Sequence, residues 1–173
     1  VFHAGCVGRG GEALIQILRE NGVDTSYLLP TQELQGNAVI QVDSCGENCI
    51  LLFGGSNRCI TEQQVTETLS DFGKGDVLIL QNEINQLSLI VEIAYQRGMT
   101  IVLNPSPMEE HLRSLLPLVD WLMLNEVEGS DLTGKPEPED ILDALLEKYP
   151  HLHIVLTLGE KGSVYADSAS RET

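Results

Sequence analysis

Short apolar runs alternate along the chain with stretches in which apolar side chains recur every three or four positions. Residues 1–5, VFHAG, have the first pattern and predict a strand. Residues 12–19 have the second: Ala13, Leu14, Ile17 and Leu18 share one helical face, and Asn21-Gly22 supplies the stop. Residues 25–36 are polar, contain Pro30 and predict no strand. The period then falls to two. Residues 37–43 and 48–53 predict a hairpin across Ser44-Cys45-Gly46-Glu47, with Ala38, Ile40 and Val42 sheltered and Asn37, Gln41 and Asp43 wet.

Helical spacing returns at Thr61-Glu62-Gln63-Gln64. This is a capping box, in which the Thr hydroxyl and the Gln amide would each satisfy a free helix N–H. Val65, Leu69 and Phe72 form its stripe and Gly73 its end. Residues 76–80 predict a buried strand, and Leu87, Ile90, Val91 and Ala94 a helix that stops at Gly98. Residues 100–103 predict the next strand, which Asn104-Pro105-Ser106-Pro107 bars from continuing. A short helix is expected over 109–116 and a strand over 121–124. Pro138 opens a helix carrying Ile141, Leu142, Leu145 and Leu146. A strand over 154–158 leads into Gly159-Glu160-Lys161-Gly162 and a last short strand over 164–166.

Apolar strands separated by helices predict an α/β fold, a doubly wound and mostly parallel sheet joined by crossovers. The hairpin, about residues 36–54, interrupts that rhythm and reads as a flap on a single domain spanning 1–173. A hydrophobic content of 42% is enough for a sizeable core. Acidic residues number 26 against 10 basic ones, a net charge of −16, which repels phosphate backbones and anionic lipid. Nucleic acid and membranes are therefore not expected as partners, although the same charge also serves plain solubility. Cys6, Cys45, Cys49 and Cys59 make no C-x-x-C pair, and His3, His111, His151 and His153 are not spaced to complete a zinc site. Reduced thiols in a cytoplasmic protein are the expectation.

In open α/β sheets ligands bind outside the carboxyl ends of the strands. The residues placed there are Gln81, Asn82 and Glu83, then Asn104, then Asn125, Glu126 and Glu128, then Gly159 and Gly162. Carboxylates hold Mg2+ or its waters, amides orient phosphate oxygens and glycines expose N–H groups to anions, so this rim suits a metal-bound polyphosphate beside a hydroxylated substrate. A plainer account also covers part of it: Asn125 caps the next helix, and the glutamates favour its first turn. A competing motif, Gly8-Arg9-Gly10-Gly11-Glu12-Ala13, fits G-x-G-x-x-A between a strand and a helix, the dinucleotide-binding pattern. Neither a P-loop nor a G-x-S-x-G nucleophile elbow is found in the sequence.

Taken in order, several segments resemble the ribokinase family of ATP-dependent sugar kinases, ribokinases in particular. They are Asn-Gly-Val-Asp at 21–24, Gly46-Glu47-Asn48 in the hairpin turn, Gly54-Gly55-Ser56-Asn57, LILQNEI at 78–84, IVLNPSP at 101–107, LNEVEGSDLTG at 124–134 and LTLGEKGSVY at 156–165. The resemblance covers nearly the whole chain. It implies a ribokinase-like, Rossmann-type fold and transfer of the ATP γ-phosphoryl group to a hydroxyl of a pentose such as ribose. Asn125 and Glu128 match the family's N-x-x-E motif, which orders Mg2+-bound phosphates, with Glu128 acting on the metal through water. Thr157, Gly159 and Gly162 match the loop bordering the nucleotide, and Glu83 matches the acidic residue that contacts the sugar. The hairpin matches the lid, which in ribokinases also contributes to a homodimer.

The departures from the family pattern carry expectations of their own. The Gly-Gly sugar-binding segment finds no counterpart before Val1, and the Gly-Ala-Gly-Asp segment, with its proton-accepting Asp and anion hole, finds none after Tyr165. A monovalent-cation site would lie in that same segment. Arg9-Gly10 stand where members commonly carry Asp. The expectation is a chain truncated at both ends, with no catalytic residue of its own and inactive alone. A non-catalytic nucleotide-binding relative and an NAD-binding oxidoreductase are the other readings.

Overall fold

The computed structural model describes residues 1–45 and 48–172, and the turn residues Gly46 and Glu47 of the expected hairpin lie outside them. The chain folds as two compact units, one of Val1–Thr68 with Glu83–Gln86 and one of Leu69–Asn82 with Leu87–Thr173.

The first unit begins with strand β1 (Phe2–Arg9), helix α1 (Glu12–Glu20) and strand β2 (Asp24–Leu34). β1 and β2 pair in parallel, from Phe2 opposite Asp24 to Arg9 opposite Leu34. The 25–36 segment is thus mostly strand, contrary to the sequence expectation. Pro30 sits in the ladder opposite Val7, and β1 is the ladder partner of β2 among the described residues. A strand paired on one side tolerates a residue that lacks an N–H. The apolar face of α1 stays wet, with Leu14 and Ile17 about half exposed.

Strands β3 (Asn37–Val42) and β4 (Asn48–Phe53) form the expected antiparallel hairpin, in register from Asn37 opposite Phe53 to Val42 opposite Asn48. The expected sheltered face is missing: every residue of β3 is exposed, Ile40 at 61% and Val42 at 65%. A two-stranded ribbon with no layer against it cannot bury either face. A 3-10 turn (Gly55–Arg58) leads to helix α2 (Glu62–Ser70). Thr61 makes its half of the capping box, its Oγ1 accepting the Gln64 N–H at 3.1 Å. The Gln64 side chain goes elsewhere. Its Nε2 donates to the Gly5 carbonyl at 2.8 Å and its Oε1 accepts from Cys6 Sγ at 3.3 Å, which satisfies a buried amide and ties α2 to β1.

The second unit is a six-stranded sheet with helices. Its strands are β5 (Val77–Gln81), β6 (Thr100–Asn104), β7 (Trp121–Asn125), β8 (His153–Thr157), β9 (Ser163–Ala166) and β10 (Arg171–Glu172), in the spatial order β10-β9-β8-β7-β6-β5. β5 to β8 run parallel, and β9 and β10 are antiparallel. Helix α3 (Leu87–Gln96) joins β5 to β6, and helices α4 (Glu126–Thr133) and α5 (Pro138–Lys148) join β7 to β8. Between β6 and β7 the expected 109–116 helix is instead two 3-10 turns, Glu110–Ser114 and Leu116–Leu118. Pro117 lacks the N–H that a continuous α-helix would need there.

Burial alternates along these strands with the period of the pleat. Leu80, Ile101, Leu103, Leu122, Leu124, Ile154, Leu156, Val164 and Ala166 point into the core with Leu87, Val91, Ile141 and Leu142 of the helices. The intervening residues face outward, Ile79 at 73% and Met123 at 39% exposed. At the amino end of the parallel strands Trp121 stacks on His153, ring centres 4.5 Å apart. His153 Nδ1 lies 2.8 Å from the Tyr165 hydroxyl, which donates to Asp167 Oδ2 at 2.7 Å. That hydrogen bond, with N–H groups of Ala169 and Ser170, holds the Asp167 carboxyl down at about 2, and the same bond pushes the Tyr165 phenol up to about 12.

Candidate functional site

Asn125 is the last residue of β7 and the N-cap of α4, in extended backbone at φ −98°, ψ 176°. Its Oδ1 accepts the Glu128 N–H at 2.9 Å, and Glu128 Oε2 accepts the Asn125 N–H at 3.0 Å. The helix therefore opens on a complete capping box, and the plainer account of these residues holds as local chemistry. It does not exhaust them. Glu128 is only 8% exposed, whereas Asn125 is exposed, and one carboxylate oxygen of Glu128 is left over by the cap. α4 is fixed from three further directions. Gly129 lies so close to α5 that a Cβ there would meet Ile141 Cγ2 at 2.8 Å. Arg113 donates to the carbonyls of Asp131 and Leu132 in the last turn. Gly134, at φ +73°, closes the helix in the left-handed conformation that a glycine takes without strain.

Thr157 ends β8 directly opposite Asn125, and its Oγ1 donates to the Leu124 carbonyl at 3.4 Å. Beyond it the chain makes a tight 3-10 turn (Gly159–Lys161), with the Leu158 N–H donating to the Gly162 carbonyl at 2.8 Å. Gly159 and Gly162 have φ of +58° and +91°, and no heavy atom outside their chain neighbours lies within 4 Å of where a Cβ would stand. Their glycine character thus follows from the turn, and it leaves the backbone open to a ligand. Asn125, Glu128, Thr157, Gly159 and Gly162 consequently gather at the carboxyl ends of two adjacent parallel strands. At the ends of β5 and β6, Gln81 stands opposite Asn104. The Asn104 side chain accepts the Ser106 N–H at 3.0 Å, and the buried Asn82 donates to the Pro107 carbonyl at 2.7 Å across the cis Ser106–Pro107 bond.

Glu83 belongs to the first unit, in the 83–86 segment. It is exposed, and its carboxylate has no hydrogen bond or ion pair with any described residue. The glycine-rich β1–α1 turn lies in this unit too, and here the parallel β1-α1-β2 arrangement that the dinucleotide motif calls for is present. The turn is filled, however. Gln35 Oε1 accepts the Gly8 N–H at 2.9 Å, and a Cβ on Gly8 would meet the backbone of 33–35 at 2.6–2.7 Å. Close approach of the end of β2 accounts for the glycine, and a pyrophosphate would have to displace the Gln35 amide.

The chemistry available for a metal is modest. Among the described residues no three His, Cys, Asp or Glu side chains stand close enough to hold an ion, and all four cysteines are free thiols. Mg2+ does not need such a cage. It keeps several waters and takes one or two carboxylates plus the phosphates of its nucleotide. A buried Glu128 already committed to a backbone N–H fits contact through water better than direct ligation. Among the described residues, no helix is long and apolar enough to cross a membrane.

The pfkB family carbohydrate kinase model matches residues 1–173. Ribokinase from Haemophilus influenzae is 30% identical over 168 residues, covering 91% of this chain and 54% of its own. The chain spans about half the length of the curated relatives it matches. Ribokinase from Cryptococcus neoformans var. grubii, solved in complex with ADP, superposes with a TM-score of 0.83 at 30% identity, over 98% of this chain and 60% of that one. Arabidopsis thaliana ribokinase, solved with ribose and ATP, gives 0.80 at 25% identity, over 99% and 60%.

Proposed function

Because the chain belongs to the pfkB family of carbohydrate kinases, we propose that the full-length protein transfers the γ-phosphoryl group of ATP to a hydroxyl of a pentose such as ribose. The observation that carries this reading is the pairing of Asn125 with Thr157 at the strand ends, with Glu128 one helical turn away and the open Gly159–Gly162 turn adjoining. Asn125 orients phosphate oxygens. Thr157, Gly159 and Gly162 border the nucleotide with hydroxyl and backbone N–H groups. Glu128 holds a water of the Mg2+, which when bound neutralises charge on the phosphates. Glu83, exposed and without a partner among the described residues, accepts hydrogen bonds from sugar hydroxyls. The similar proteins solved with ADP and with ribose and ATP support a nucleotide and a sugar as the ligands.

Phosphoryl transfer relies on positioning and charge stabilisation. None of the residues given a role here takes the proton from the sugar hydroxyl, so the 173-residue chain alone turns over no sugar. The hairpin of β3 and β4 serves as a lid and as a homodimer contact, motivated by the apolar side chains exposed on both its faces. A monovalent cation belongs to the full-length protein, and the location is cytoplasmic. Measuring ADP release from ATP in the presence of ribose, with the full-length protein and with residues 1–173, tests the reading. Turnover by the former alone supports it. Nucleotide binding without turnover of any pentose by the full-length protein would instead make it a non-catalytic relative.

A further inference from the structure

The 83–86 segment is held from several sides at once. Arg58 Nη1 donates to the Ile84 carbonyl at 3.3 Å. The Asn85 N–H donates to the Asn57 carbonyl at 3.2 Å. The Asn85 side chain then pairs with both backbone groups of one residue. Its Oδ1 accepts the Ile60 N–H at 3.1 Å and its Nδ2 donates to the Ile60 carbonyl at 2.7 Å. Gln86, at φ +63°, ends the segment in a conformation that a non-glycine residue rarely adopts.

The 54–60 segment that receives these bonds is itself locked. A Cβ on Gly55 would meet the Leu34 carbonyl oxygen at 2.5 Å and the Gly36 nitrogen at 2.9 Å. The Gly36 N–H donates to the fully buried Ser56 Oγ at 3.3 Å. Neighbouring Glu83 receives no support of its own, since its carboxylate touches no described partner.

We infer that Asn85 is the positioning residue for Glu83, with Arg58 as its auxiliary. The inference rests on the reading of Glu83 as the sugar contact. An exposed carboxylate on a short excursion of chain has no fixed direction unless the backbone beneath it is fixed. The double hydrogen bond of Asn85 to Ile60 fixes that backbone two residues away. Only a side-chain amide can do this at that length, because the site needs one acceptor and one donor together. An Asp, equal in size, would set a carboxylate oxygen against the Ile60 carbonyl. Asn85 touches no substrate in this scheme. It acts by keeping Glu83 in the orientation that meets the hydroxyls, which saves ordering on binding.

Calorimetric titration of the full-length protein with D-ribose, and separately with ATP, tests this. Glu83→Gln is expected to weaken ribose binding measurably. Asn85→Asp is expected to weaken it by about tenfold, the loss of one well-made hydrogen bond, and to leave ATP binding unchanged. Added to Glu83→Gln, it should change ribose binding by less than about twofold, because the group it positions has already lost its charge. Should Asn85→Asp fail to fold by circular dichroism, Arg58→Ala, on the exposed surface, carries the same cycle with a smaller expected loss of about threefold. Equal weakening by Asn85→Asp with and without Glu83→Gln, or wild-type ribose binding by Asn85→Asp while Glu83→Gln is impaired, overturns the positioning role alone. Wild-type ribose binding by Glu83→Gln overturns the sugar reading itself.

Discussion

At the scale of single residues, the capping box of α4 separates two tasks that one pair of side chains performs. Asn125→Ala removes the cap and should lower stability by about 0.5–2 kcal/mol in denaturant unfolding, and weaken ATP binding as well. Glu128→Gln keeps an acceptor for the Asn125 N–H, so its stability loss should stay below about 1 kcal/mol. Its ATP binding, titrated with and without Mg2+, should lose the Mg2+-dependent part. Both residues were legible in the sequence, because an amide three positions before a carboxylate at the end of an apolar run is a local signal. The work of Asn85 was not. Its partner Ile60 lies 25 positions away, and no local spacing in the sequence pairs the two. Gln64 misled for the same reason: the local capping signal was real, but the Gly5 carbonyl on β1 offered its amide a better partner.

At the scale of elements, what keeps the candidate site in shape is the seating of α4 on α5. Gly129→Ala places a methyl 2.8 Å from Ile141 Cγ2. The clash should cost about 1–3 kcal/mol, more than the gain of about 1 kcal/mol in helix propensity, and lower the denaturant midpoint. The β8–β9 hairpin adds a pH dependence. Asp167 has a folded-state pKa of about 2 against an ordinary value of 3.8. Its contribution is therefore whole above about pH 4 and lost as pH falls toward about 2. Tyr165, raised from 10.0 to about 12, contributes fully below its ordinary value and loses this as pH rises through the raised one. Urea unfolding at pH 3 and pH 6 should show a smaller difference for Asp167→Asn than for the parent. Strands β5 to β8 were readable because each is a nearly unbroken apolar run of strand length, although only alternate residues of it are buried. β2 was hidden, because it pairs along one edge and carries Pro30 and polar side chains that a buried strand would exclude.

At the scale of the molecule, the sequence motifs fixed the family before any contact was known, yet the exposed apolar surface was not foreseen. Alternation predicted one dry face for the β3–β4 hairpin, and the structure leaves both wet. If the hairpin is a dimer contact, Ile40→Glu with Leu51→Glu should convert the full-length protein to monomer in sedimentation velocity, with ATP binding retained. Strand β5 raises a different matter. It is the last strand of its sheet among the described residues, and it presents Val77 and Ile79, 59% and 73% exposed, beside a free row of peptide groups. Such a border is a template onto which another extended segment can add. For residues 1–173 handled alone, solubility rather than folding would then set the working concentration. The net charge of −16 opposes that stacking, and added salt, by screening it, would bring the chain out of solution sooner.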